Sequence, residues 1–239
     1  MNLMNVSLGQ VWCYRSLPWL TISSHFGRLA EAECPRILVL VSVLFYSLVF
    51  GCDVSEANPD SLRAYTSLAA FFRRRLRPGC RPLAPGSRLV SPADGTVTFA
   101  GLHLGGSLQQ VKGVHYSLPK FLGRRDQDTS AASLLRHPHT CLYQVVIYLH
   151  PGDYHRFHSP VTWRVRTRTR VEGELLSVAP PILRNIQGLF ELNSRVVLEG
   201  EWRWGYFSLT AVGATNVGSI NIEWETEETE RVQGGLQSK

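Results

Sequence analysis

From Arg88 onward the chain is written in short runs of β-forming residues divided by glycine and proline, which limits it to folds with a mainly β core. The expected strands are Leu89–Val90, Thr96–Ala100, Leu142–Leu149, Thr162–Val171, Arg195–Glu201, Tyr206–Val212 and Ser219–Trp224. Asp94-Gly95 supplies turn chemistry between the first two. Arg124 to His139 reads as a polar loop, and Pro180-Pro181 opens a short helix reaching Phe190. Ahead of this half the pattern is helical. Asn58-Pro59 has the form of an N-cap followed by an N1 proline. Leu62, Tyr65, Leu68, Ala69 and Phe72 follow at helical spacing, and the segment ends in Arg73-Arg74-Arg75-Leu76-Arg77, where cations complement a helix C-terminus. Pro78-Gly79 stops it. The expected class is α+β: N-terminal helices, then a mainly antiparallel β core.

Ile37 to Phe50 is apolar except for Ser42 and Ser47. As a helix it rises about 21 Å, short of the roughly 30 Å of a hydrocarbon core. A buried helix, or one lying in a membrane interface, fits better than a span. Residues 1–36 hold no acid before Glu31 and carry Arg15 and Arg28, a pattern shared by transit peptides and by ordinary N-terminal helices. With 25 Lys+Arg against 19 Asp+Glu, the net charge of +6 favours anionic partners. Nucleic acid is not expected, since no zinc-finger, bZIP or RRM pattern occurs. For Arg73, Arg74, Arg75 and Arg77 the readings are contact with anionic lipid headgroups or a solvated helix end. The five cysteines (Cys13, Cys34, Cys52, Cys80, Cys141) show no CxxC spacing and read as mostly free thiols.

The segment with the most chemistry is Pro151-Gly152-Asp153-Tyr154-His155-Arg156-Phe157-His158-Ser159-Pro160, a turn leaving an apolar strand. Its two imidazoles can take and return a proton near neutral pH. His150, Asp153, His155 and His158 are also ligand types, but residues 155 and 158 oppose in an extended strand and align only in a helical turn, so no metal is expected. Asp94 alone is an ordinary turn aspartate; with a histidine it suggests triad logic whose serine is still to be found. No GxSxG elbow occurs. Val212-Gly213-Ala214-Thr215-Asn216-Val217-Gly218-Ser219 reads as a tight connection whose amides could cradle an anion.

Ser91-Pro92-Ala93-Asp94-Gly95, Val111-Lys112-Gly113-Val114, Tyr143 through Pro160, Asn193 through Leu198 and Val212 through Ile220 occur in that order. Together they resemble the phosphatidylserine decarboxylases, particularly the mitochondrial type, as does Phe71 to Leu76 followed by Arg81-Pro82. The resemblance covers about residues 12–222. It implies a self-cleaving proenzyme that turns the serine of a Leu-Gly-Ser-Thr motif into a pyruvoyl group, the electron sink for converting phosphatidylserine to phosphatidylethanolamine and CO₂. By the same resemblance Asp94 and His158 belong to the self-cleavage triad, Asp94 orienting the imidazole and His158 deprotonating the serine. His155 matches the histidine used in substrate and proton handling. The implied place is the mitochondrial inner membrane, with phosphatidylserine and an anionic membrane surface as partners.

The family's Leu-Gly-Ser-Thr motif is not found. Gly86-Ser87, Gly106-Ser107 and Gly218-Ser219 are the Gly-Ser pairs, and none has threonine next. After Ile222 an acidic run, Glu223 to Glu230, stands where the family's last strands would be. The division expected is 1–36 extension, 37–86 membrane-associating helices, 87–222 β core lacking its C-terminal strands, and 223–239 acidic tail. The expectation is a family member that does not self-cleave or decarboxylate alone. The alternatives are a non-catalytic binder of anionic lipid and a partner completed in trans by a C-terminal pyruvoyl-bearing chain.

Overall fold

The computed structural model describes residues 13–103, 107–111, 114–124, 131–135 and 140–223. Its first element, α1 (Trp19–Glu31), presents little to the core; Ser23 is its buried residue. Helix α2 (Arg36–Phe50) begins after Pro35 and ends at Gly51, whose φ of 69° is the left-handed C-terminal conformation that glycine adopts without a Cβ clash. One stripe of α2, Val39 and Val43, is buried against Tyr65 and Phe71, with Tyr46 packed alongside. The rest of α2 is not covered: Ile37, Leu38, Val41, Leu44, Phe45, Leu48 and Val49 are exposed. Burial of the whole run, one of the two fates expected for it, is not what the structure shows. Among the described residues no helix is long and apolar enough to cross a membrane.

The single helix expected after Asn58-Pro59 is not formed. Asn58 belongs to β1 (Ala57–Asn58), a 3₁₀ turn covers Leu62–Ala64, and only α3 (Leu68–Phe72) is α-helical. Ser67 caps α3 by accepting a hydrogen bond from the Ala70 amide at 3.1 Å, so a new helix starts there. The arginine run therefore leaves the helix at once: Arg75–Leu76 is β2, antiparallel to β1.

The β half follows. Strand β3 (Thr96–Leu102) pairs with β6 (Tyr143–Tyr148), with a bulge near Val97. Between them the hairpin β4 (Ser107–Val111) and β5 (Val114–Ser117), then the helical turns α4 (Leu118–Phe121) and α5 (Ala131–Leu134), occupy sequence in which no strand was expected or a loop was. A three-stranded antiparallel sheet orders β7 (Trp163–Val171), β8 (Arg195–Trp202) and β9 (Gly205–Val212). The short helices α6 (Pro180–Leu183) and α7 (Leu189–Leu192) pack beside it. Because side chains alternate along β8, Val197 enters one cluster with Leu176, Leu183, Ile186, Leu189 and Phe190, while Val196 and Leu198 enter another with Ile220 and Ile222. Leu89–Val90 and residues 219–223 are not strands. The Val90 amide instead makes one bond to the Pro160 carbonyl at 3.0 Å. The α+β class stands; the rest of the acidic tail, 224–239, lies outside the described residues.

Candidate functional site

Strand β6 delivers the chain to a turn clamped from several sides. The Asp153 carboxylate accepts from the His150 amide at 2.7 Å. From α2, the Tyr46 hydroxyl donates to the Pro151 carbonyl at 2.6 Å. Gly152 lies so close to the end of α2 that a Cβ there would sit 2.1 Å from the Phe50 carbonyl oxygen. Arg74 is buried and donates to the carbonyls of Gly152 and Asp153 at 3.1 and 3.4 Å. The segment that follows is thus aimed by the end of an apolar helix and a buried cation.

Beyond the turn the two histidines part company. The chain curls so that the rings of Tyr154 and His158 stack, centroids 5.7 Å apart and planes 16° from parallel. The Tyr154 hydroxyl is 3.0 Å from His158 Nε2. His155 turns instead to the Phe72 ring, 4.1 Å away, with Nδ1 2.9 Å from the Asp153 carbonyl. A carbonyl only accepts, so Nδ1 carries the proton and Nε2 keeps its lone pair. Burial lowers the His155 pKa from its ordinary 6.5, which keeps the ring neutral. Burial likewise holds the Tyr154 phenol in its protonated form. Among the described residues no group of three histidine, cysteine or acidic side chains is placed to hold a metal.

Asp94 is brought alongside by backbone, since the His158 amide donates to the Pro92 carbonyl at 2.7 Å. Its carboxylate does not reach the imidazole. Arg81 grips both its oxygens, Nε to Oδ1 at 3.0 Å and Nη2 to Oδ2 at 2.7 Å, and holds Glu56 with the same guanidinium at 2.7 and 2.8 Å. A bidentate charge-assisted pair of this kind outcompetes a single imidazole bond. It pulls the Glu56 carboxyl below its usual range and pushes Arg81 up. Sequence reasoning named Asp94, His155 and His158 as candidates but not the contacts of Tyr154 and Arg81 with them. Tyr154 lies four residues before His158 in an irregular segment, where no periodicity pointed to a stacked pair.

The four arginines expected at headgroups divide. Arg74 is turned inward, with its guanidinium also 5.0 Å from the Phe71 ring. Arg73 pairs with Glu31, Arg75 with Glu223 at 3.2 Å, and Arg77 with Asp60 at 3.8 Å, all partly or largely exposed. In the 212–219 connection the amides of Gly213, Ala214, Asn216 and Val217 are already engaged. Gly213 donates to Ser194, Ala214 and Val217 exchange bonds, and Asn216, at φ 64°, donates to Ser23 Oγ. The segment is a tight connection, as expected, with these four amides turned to bonds within the protein. Asn193 is a scaffold residue, fully buried and bonded to Leu176 and Gly213. Arg195 spends its guanidinium on the carbonyls of Phe121, Lys120, Glu191 and Asn193.

The motif segments thus sort into scaffold (193–198, 212–220) and a convergent site (91–95, 150–160). A family model described as phosphatidylserine decarboxylase matches residues 68–236. The chain belongs to the phosphatidylserine decarboxylase family. Its curated relatives include the mitochondrial phosphatidylserine decarboxylase proenzymes of Cricetulus griseus, 42% identical over 91% of this chain and 56% of the relative. The Caenorhabditis elegans protein is 44% identical over 89% of this chain and 54% of the relative. The Schizosaccharomyces pombe proenzyme 1 is 35% identical over 91% and 65%. The chain therefore spans a little over half to about two thirds of the length of these family relatives.

Proposed function

We propose that this chain supplies the histidine-bearing part of a phosphatidylserine decarboxylase proenzyme acting at an anionic membrane surface. The observation that carries the reading is the 150–160 turn, with its stacked Tyr154–His158 pair held beside the Pro92–Asp94 segment. With the phenol as donor to Nε2, His158 is the Nδ1–H tautomer. That tautomer offers Nδ1–H toward an aspartate and Nε2 as the base, the arrangement a triad needs. Asp94 is the aspartate, reached once Arg81 releases it. His155, neutral and with Nε2 open, is the group that accepts or returns a proton during decarboxylation.

A pyruvoyl group, where present, supplies the electron sink for loss of CO₂. No Leu-Gly-Ser-Thr occurs in the 239 residues. Close in sequence to the pair, the Ser91 and Ser159 hydroxyls are committed to the Ala93 and Val161 carbonyls at 2.7 and 2.8 Å. In the proposed enzyme the group would come from a C-terminal pyruvoyl-bearing chain.

Residues 37–86 would associate with the membrane through the exposed face of α2, with Arg73, Arg75 and Arg77 toward anionic headgroups. Residues 87–222 would form the catalytic core, 1–36 an extension and 223–239 an acidic tail. The relatives are named as mitochondrial proteins; we place this protein at the inner membrane. The test is coexpression with a segment bearing the Leu-Gly-Ser-Thr motif, followed by CO₂ release from phosphatidylserine vesicles. The expected complex turns over and loses activity on His155→Ala. A complex that carries a hydroxylamine-reactive carbonyl yet releases no CO₂ overturns the reading.

A further inference from the structure

Between His155 and His158 the chain places Arg156, whose guanidinium is anchored on one edge. Its Nε donates to the Arg73 carbonyl at 2.8 Å, which fixes the direction of the side chain. Its Nη1 meets the Glu223 carboxylate. Arg75 reaches the same oxygen, Oε1, from β2 at 3.2 Å. Two cations thus converge on one carboxylate oxygen, and the Glu223 carboxyl is held below its usual range, the Arg156 hydrogen bond being the main cause. Both arginines, Glu223 and Asp94 lie near enough to Tyr154 to act on its ionisation, and Tyr154 is the residue that holds His158.

Two guanidiniums aimed at one oxygen suit an oxyanion. We infer that the Arg75–Arg156 pair is the subsite for the substrate's phosphodiester, and that Glu223 occupies it from within the chain. This rests on the phosphatidylserine reading above. The headgroup offers two anions, a carboxylate and a phosphodiester. An ion pair to the departing carboxylate would stabilise the ground state and vanish as CO₂ forms, which raises the barrier. The phosphodiester keeps its charge throughout, so binding it orients the lipid without opposing the chemistry. Glu223 is displaceable, because its side chain is 74% exposed and exposed ion pairs are weak.

The experiment measures binding of glycerophosphoserine, glycerophosphoethanolamine, free serine and inorganic phosphate to the 239-residue protein by calorimetry. Glu223→Gln removes the internal competitor from an exposed position, and thermal unfolding checks that the fold is kept. Both phosphodiesters are expected to bind about two- to fivefold more tightly to Glu223→Gln. Serine should gain nothing, and Arg156→Gln in the same background should cancel the gain. Unchanged or unmeasurable phosphodiester binding overturns the subsite, as does a gain that survives Arg156→Gln. A gain by serine alone overturns the choice of phosphodiester, and a gain confined to inorganic phosphate overturns the headgroup assignment. None of these failures touches the decarboxylase reading, which stands or falls on CO₂ release by the completed complex.

Discussion

At the scale of single residues the proposed site depends on a neutral His155 and on which tautomer His158 adopts beside Tyr154. His155 is ringed by Phe72, Arg74, Asp153 and His150, and its burial disfavours the imidazolium. Its folded pKa therefore lies below the unfolded value of about 6.5. Between those values the unfolded chain binds more protons, so stability is intact above about 6.5 and falls as pH drops toward the folded pKa. The melting temperature should decline from pH 7.5 to 5.5, and decline less in His155→Gln. Equal slopes in the two proteins would remove burial of His155 as the cause. For His158 the test is spectroscopic. Tyr154→Phe deletes the donor to Nε2, and the Nδ1–H population of the neutral ring, read from ¹⁵N shifts, should drop. An unchanged tautomer ratio would mean that Tyr154 packs on the ring without setting it.

Among the elements, the coupling of helix α2 to the histidine turn is the feature with the most consequence. The Phe50 carbonyl abuts Gly152, and Tyr46 bonds Pro151, so whatever seats α2 also seats the turn. Gly152→Ala forces a Cβ into backbone and should cost about 1–3 kcal/mol in urea unfolding; a smaller loss would show that helix and turn slide freely. The other face of α2 tests the membrane reading. Phe45 and Leu48 are 68% and 84% exposed, so Phe45→Ser/Leu48→Ser should leave the melting temperature alone. It should weaken sedimentation with anionic vesicles by at least about tenfold. The sequence made much of this visible: strands β3 and β6 to β9, the apolar helix, and the histidine turn all follow from local pattern. The segment 59–77 misled because helical spacing of Leu62, Tyr65 and Leu68 also serves a broken chain whose side chains converge on one cluster. Tyr154–His158, Arg81–Asp94 and Arg156–Glu223 were hidden for a different reason. Each joins an irregular segment to a distant or curled partner, and periodicity reports neither.

For the whole molecule the deciding question is whether these 239 residues make their own prosthetic group. The Tyr154 hydroxyl lies 3.0 Å from His158 Nε2 and Arg81 holds Asp94, so the two residues of the proposed pair are engaged elsewhere, and among the described residues no serine hydroxyl is bonded to Nε2. Ser219, the remaining candidate by sequence, is exposed and follows Gly218, which packs on Leu175. A self-cleaving serine needs its hydroxyl within hydrogen-bond reach of the base and its carbonyl held for attack. The purified polypeptide should therefore show one uncut species near 26.8 kDa by intact mass, unchanged by hydroxylamine. Ser219→Ala should change neither result. Two fragments, one gaining the hydroxylamine adduct, would mean that an internal serine serves as precursor and that Tyr154 must swing off His158 to admit it. In that event Ser219→Ala should abolish cleavage, and loss of cleavage in His158→Ala would assign the base directly.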